Sequence, residues 1–120
     1  LNLNLLPDLS YPTLTIRSEY EGAAPVEIEN LLTKPVEEAL GVVKNVKEMR
    51  SVSRAGQSDV VLEFDWGTDM DLASIDVRER LDALLLPLEA TRPVLLRFDP
   101  SFDPVMRYAL FMEPETRRAD

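Results

Sequence analysis

The chain has 120 residues, 45% hydrophobic and 29% charged, the make-up of one globular domain that buries roughly 65% of its unfolded surface in one core. Its 22 acidic and 13 basic residues give a formal net charge of -9, a field that repels phosphate backbones and excludes nucleic acid as a partner. The absence of cysteine and histidine removes disulfides, thiolate and imidazole metal sites, and the commonest general base, so zinc and triad chemistry are excluded. No apolar run approaches the ~20 residues of a membrane helix. The sequence opens at Leu1, with neither a starting methionine nor a basic signal-peptide head, so it is expected to be a soluble piece excised from a longer protein.

In chain order, "YPTLTIRSEY" (11–20) sets Leu14, Ile16 and Ser18 against Thr13, Thr15 and Arg17, the period of two that predicts a strand. Gly22 breaks it, and Pro25 with Glu27 and Glu29 opens a helix. Ile28, Leu31, Leu32, Val36, Ala39, Leu40 and Val43 form its buried stripe, with Gly41 as the stop and Pro35 expected to kink or divide it. Two extended runs around Arg54-Ala55-Gly56-Gln57 predict a hairpin, and its second strand places Val60, Leu62, Phe64 and Trp66 on one apolar face. After Gly67, Thr68 and Asp71 resemble a capping box that starts a second helix. Its apolar side is read as Leu72, Ile75, Val77, Leu81, Leu84, Leu85 and Leu88, with Asp76/Arg80 and Arg78/Asp82 as ion pairs and Pro87 as the end or kink. "PVLLRF" (93–98) is a further strand, "DPSFDP" (99–104) a connector, and "VMRYALFME" (105–113) one more strand.

The order β, α, β, β, α, β predicts an α+β, ferredoxin-like sandwich: a four-stranded antiparallel sheet with both helices on one face, plus one extra C-terminal strand. Chemistry finds little footing. Asp65, Asp69 and Asp71 lack the glycine and distal glutamate of a calcium loop and are read as the start of a helix; Glu37 and Glu38 diverge around a helix and are read as solvated surface; Asp99 and Asp103 flank turn prolines. No catalytic, cofactor or metal set is assigned. The residues alone support an acidic module whose free sheet face needs a partner or ligand, which leaves a small-ligand regulatory module or a protein-interaction domain open.

Four phrases go further. "LLPDLSYPTLTI" (5–16), "EYEGAAPVEIENLLTKPVEEAL" (19–40), "SVSRAGQSDVVLEFDWGTDMDLASIDVRERLDAL" (51–84) and "RPVLLRFDPSFDPVMRYAL" (92–110) run in the register of the resistance-nodulation-division (RND) efflux transporters, which the chain resembles over almost its whole length. The resemblance implies a segment of a bacterial inner-membrane, proton-driven pump, lying on the periplasmic side. Residues 1–10 would lead in from transmembrane helix one, 11–99 would be porter subdomain PN1, and 104–120 would begin porter subdomain PN2. It further implies a homotrimer that works with a periplasmic adaptor and an outer-membrane channel. The second helix would line the trimer's central pore through Ile75, Arg78, Glu79 and Asp82, and Arg17, Asp59, Phe102 and Met106 would line a substrate cleft. Ile75 is claimed by both the core stripe and the pore face. Glu21 stands where the family usually has proline, and the pore helix is more charged than in well-known drug pumps. Heavy-metal exporters of the superfamily rely on methionine sites, whereas the four Met here form no ligand cluster and "LLPDLSYP" looks more like the hydrophobe and amphiphile branch. Drug-like or amphiphilic small molecules are the implied cargo.

Overall fold

A computed structural model describes residues 10–100. Strand β1, Thr13–Glu19, buries Leu14, Ile16 and Ser18 and turns Thr13, Thr15 and Arg17 the other way, as its alternation requires. It lies centrally, antiparallel both to β3 (Gln57–Phe64) and to β4 (Val94–Phe98), while β2 (Val46–Arg54) pairs antiparallel with β3. The sheet order is β2-β3-β1-β4, the ferredoxin-like arrangement, with β2 and β4 at the edges. Ala55 and Gly56 close the β2/β3 hairpin; Gly56 sits at φ +77, where a side chain would be strained. Its N–H donates to the Ala23 carbonyl, and the Tyr20 N–H donates to its carbonyl, so the hairpin tip also fixes the exit from β1. The fourth predicted face residue departs from expectation: β3 stops at Phe64, and Trp66 stands outside the core because the chain is already turning toward Gly67.

The first helix is divided. α1 (Pro25–Ile28) passes into a π-helical turn, Glu29–Thr33, and then into α2 (Lys34–Leu40), which ends at Gly41. The division expected at Pro35 falls one turn earlier. There the Lys34 N–H reaches back to the Glu29 carbonyl, and the wide turn accommodates the N–H that Pro35 lacks. Spacing gives a second reason. Ile28, Leu32, Val36 and Leu40 are all fully buried and lie four apart, a row that drifts by about 40° per step on a regular α-helix. One widened turn keeps the row over the sheet. It also rotates Leu31 outward and Thr33 inward, so Leu31 is not part of the buried stripe.

α3, Met70–Asp82, is uninterrupted. Asp69, not Thr68, is its N-cap: the Asp69 carboxylate accepts the Asp71 and Leu72 N–H groups at 3.1 and 3.2 Å, while the Thr68 hydroxyl donates to the Asp65 carbonyl. The helix ends before Pro87 and buries Met70, Ala73, Val77 and Leu81. Of the expected stripe only Val77 and Leu81 are buried; Leu72, Ile75, Leu85 and Leu88 are exposed. Arg80 pairs with Asp76 at 3.0 Å as expected, but Asp82 pairs with Arg92 at 3.1 Å instead of with Arg78.

In the larger of two buried clusters Leu14 and Ile16 of β1 and Val60, Leu62 and Phe64 of β3 meet Val36 and Leu40 of α2 and Ala73, Val77 and Leu81 of α3, while Ala23, Ile28 and Leu32 form a smaller one with Tyr20, Leu86 and Ala90. All the sheet residues in the larger cluster point to one face, so both helices cover that face and the other is left open. The expected strand at 105–113 and the connector beyond residue 100 lie outside the described residues.

Candidate functional site

Two surfaces and one buried polar network remain once the hydrophobic core is assigned. The first is the outward side of α3. Ile75, Arg78, Glu79 and Asp82 are all exposed and, with Leu72, fall at the three- and four-residue spacings of one helix face. Leu72 is 63% and Ile75 53% exposed, which decides between the two claims on Ile75: it is not a core residue. Packing explains why. α3 approaches the sheet through the small Ala73, one turn before Val77, so the bulkier Leu72 and Ile75 are left outside.

The second surface is the open face of the sheet. Arg17 of β1 and Asp59 of β3 are directly cross-strand, and the guanidinium grips the carboxylate in a two-pronged pair, Nε to Oδ1 at 2.8 Å and the second nitrogen to Oδ2 at 3.1 Å. Gln57 and Arg54 add donors to Oδ2 at 3.2 and 3.4 Å. Asp59 is only 8% exposed, and its charge is held by these partners. The Arg17 hydrogen bond lowers the Asp59 pKa below the ordinary aspartate range; burial opposes the shift, and the Arg17 charge, Gln57 and Arg54 assist it. Arg17 and Arg54 remain partly open to solvent, so this mid-sheet cluster presents net positive charge on an acidic chain. Beside it, Val94, Leu96 and Phe98 of β4 form an exposed apolar stripe in the same register. Phe102 and Met106, expected near Arg17 and Asp59, lie outside the described residues.

The third feature was not anticipated from the sequence. Under the π-turn, Thr33 Oγ1 lies 2.8 Å from Ser53 Oγ and 2.7 Å from Ser58 Oγ, and Ser53 donates to Glu29 at 2.6 Å. Because the carboxylate only accepts, the protons run one way: Ser58 to Thr33, Thr33 to Ser53, Ser53 to Glu29. Ser51 likewise donates to Glu37, which is therefore a packed side chain of α2 and not the solvated residue expected. Ser18 Oγ, on the same inner face and opposite Ser58, is buried without a hydrogen-bond partner. The signal was present as Met49, Ser51 and Ser53 alternating with Arg50, Val52 and Arg54 in β2.

Among the described residues, no cluster of acidic side chains is arranged to hold a metal ion, and no helix is long and apolar enough to cross a membrane. A shallow groove of about 650 Å3 lies between the hairpin tip and the start of α1, lined by Glu19, Gly22, Pro25 and Gly56. None of the expected pore or cleft residues lines it.

Comparison with known proteins now fits this geometry. Residues 1–119 match the AcrB/AcrD/AcrF family. The swarming motility protein SwrC of Bacillus subtilis is 35% identical over 101 residues, 84% of this chain and 10% of its own. The multidrug resistance protein MdtC of Yersinia enterocolitica is 34% identical over 109 residues, 88% of this chain and 11% of its own. A heavy metal efflux pump, solved by X-ray crystallography, superimposes with a TM-score of 0.69 at 28% identity, over 76% of this chain and 9% of that one. The chain thus spans about a tenth of the length of the relatives it matches. Matching almost end to end, and folded as a ferredoxin-like unit that also occurs inside a solved efflux pump, the chain belongs to the AcrB/AcrD/AcrF family of RND efflux transporters, as a porter segment.

Proposed function

We propose that the chain is the first porter subdomain of a trimeric inner-membrane pump that exports drug-like or amphiphilic compounds, with residues 11–99 as PN1, 104–120 opening PN2, and 1–10 leading in from the membrane. In this reading the segment stands on the periplasmic side, the trimer works with an adaptor and an outer-membrane channel, and the subdomain acts by rigid-body alternation and not by covalent chemistry. The observation that carries it is the double-sided apolar character of α3. Ala73, Val77 and Leu81 are already committed to the core, yet Leu72 and Ile75 stand exposed on the opposite side beside Arg78, Glu79 and Asp82. A helix that only covered a sheet would be polar there. Mixed apolar and charged residues on one exposed face suit a subunit interface around a wet pore.

Two observations favour the amphiphile cargo: the match to a multidrug resistance protein and the "LLPDLSYP" lead-in. The Arg17, Arg54 and Asp59 cluster beside Val94, Leu96 and Phe98 offers the combination of charge and apolar surface that such a path requires. The test is the parent gene expressed in an efflux-deficient bacterium. Reduced accumulation of an amphiphilic dye relative to empty vector is expected; unchanged dye accumulation, or protection from heavy-metal salts alone, would overturn the cargo assignment.

A further inference from the structure

One end of the domain carries a group of side chains that neither the core nor the α3 face uses. The Tyr11 and Trp66 rings stack at 5.3 Å between centroids, tilted by 43°, and Lys47 Nζ stands 4.6 Å above the Tyr11 ring. These residues come from the start of β1, the end of β3 and the start of β2, so all three strands present them at the same end of the sheet. The Phe64 N–H to Pro12 carbonyl bond, 2.9 Å, fixes the first two together, and the Asp65 N–H to Asn45 carbonyl bond, 3.0 Å, brings the loop after α2 against them. That loop also carries Val42, exposed 64%. Trp66 itself is 49% exposed. An indole half out of the fold, packed on a tyrosine that carries a lysine over its ring, has the amphipathic make-up of residues that settle at a lipid headgroup layer.

Resting on the porter reading above, we propose that this end is a membrane-facing foot: Trp66, Tyr11 and Lys47 seat the domain on a zwitterionic phospholipid surface. Trp66 lies at the depth of the acyl-chain boundary, and the Lys47 ammonium reaches back to lipid phosphate. Chain length supports the occupant. In the porter reading residues 1–10 lead in from the membrane, and ten residues span at most about 35 Å, so Tyr11 stands within that distance of the bilayer. The strand direction then places the opposite end, with the Ala55-Gly56 hairpin tip, about 27 Å farther out, the length of β3. Glu63 lies 4.0 Å from Lys47 Nζ as a loose ion pair that lipid phosphate would replace, and Asp65 sits beside them, which is why a zwitterionic surface is specified and an anionic one is not.

Trp66 is the only tryptophan of the chain, so its fluorescence reports this site alone. The 120-residue chain would be attached through an N-terminal hexahistidine tag to nickel-chelating lipid in phosphatidylcholine vesicles, with and without dibrominated phosphatidylcholine as a contact quencher. Trp66 emission is expected to shift to shorter wavelength and to fall by roughly half or more in brominated vesicles. The double variant Trp66→Phe, Ala55→Trp moves the reporter to the hairpin tip, and its emission is expected to be unquenched. Circular dichroism and thermal melting confirm that both proteins fold alike. Quenching of neither reporter, of both equally, or of the tip alone would overturn the foot. An unquenched Trp66 in a chain whose parent still exports dye removes this inference and leaves the porter reading standing; failed export strikes the porter reading itself.

Discussion

The two helical segments cover the same face of the sheet, yet they do so in different ways. The first commits its whole inner row, Ile28, Leu32, Val36 and Leu40, to the core and needs a π-turn to keep that row aligned. α3 stays regular, gives the core Met70, Ala73, Val77 and Leu81, with alanine at the closest approach, and leaves Leu72 and Ile75 exposed on its far side. The contrast teaches that apolar residues at helical spacing report burial only when one row exists. Where two rows exist, side-chain size at the closest approach decides which goes in, and the other row stays exposed.

The largest test of that contrast substitutes one leucine from each segment. Leu32→Ala should cost about 2–5 kcal/mol in urea unfolding, because a fully buried side chain leaves a cavity. Thr33→Val should cost about 1–3 kcal/mol, since it interrupts the hydroxyl chain and leaves Ser58 a donor with no acceptor beneath the π-turn. For α3, Asp69→Ala should lose about 1 kcal/mol while Thr68→Ala loses only a few tenths, the reverse of a cap placed at Thr68. At the small end, Leu72→Ala should shift stability by no more than about 0.5 kcal/mol. An equal loss for Leu32→Ala and Leu72→Ala would erase the distinction between the two rows.

The open face adds a pH-dependent test. Asp59 has a folded pKa below its unfolded value, so its contribution is fully present above the unfolded pKa of about 3.9 and is lost as pH falls through the folded one. Asp59→Asn should therefore be less stable than the parent chain at pH 5 to 7, with the gap closing as pH drops below about 4. A gap that widens on acidification would contradict the Arg17 clamp.

Much of the fold was legible because strand periodicity leaves few choices. Leu14, Ile16 and Ser18, and Val60, Leu62 and Phe64, could share only one face, and Gly56 marked the hairpin between them. The helices were harder to read. The four-residue spacing from Ile28 to Leu40 and the presence of Pro35 were both visible, but only the packed sheet shows that they are resolved by one widened turn and not by a break at the proline. For α3, preferring large aliphatics put Leu72 and Ile75 inside, because the need for a small residue at Ala73 is a property of the helix-to-sheet distance and not of the helix. The Arg17 and Asp59 pairing was readable only as two residues near one another by resemblance; their two-pronged contact depends on the β1/β3 register. Trp66 was assigned to the strand face because alternation does not announce where a strand stops.

The central claim is that the spare row of α3 faces sister subunits. The most direct measurement is disulfide cross-linking in the full-length parent carrying Ile75→Cys or Asp82→Cys, in a chain segment that has no cysteine of its own. Cross-linked species between protomers at both positions, with none at a buried control such as Val77→Cys, is the predicted result. Protomers that stay uncross-linked at Ile75 and Asp82 under oxidation would contradict the placement of this helix at a subunit interface.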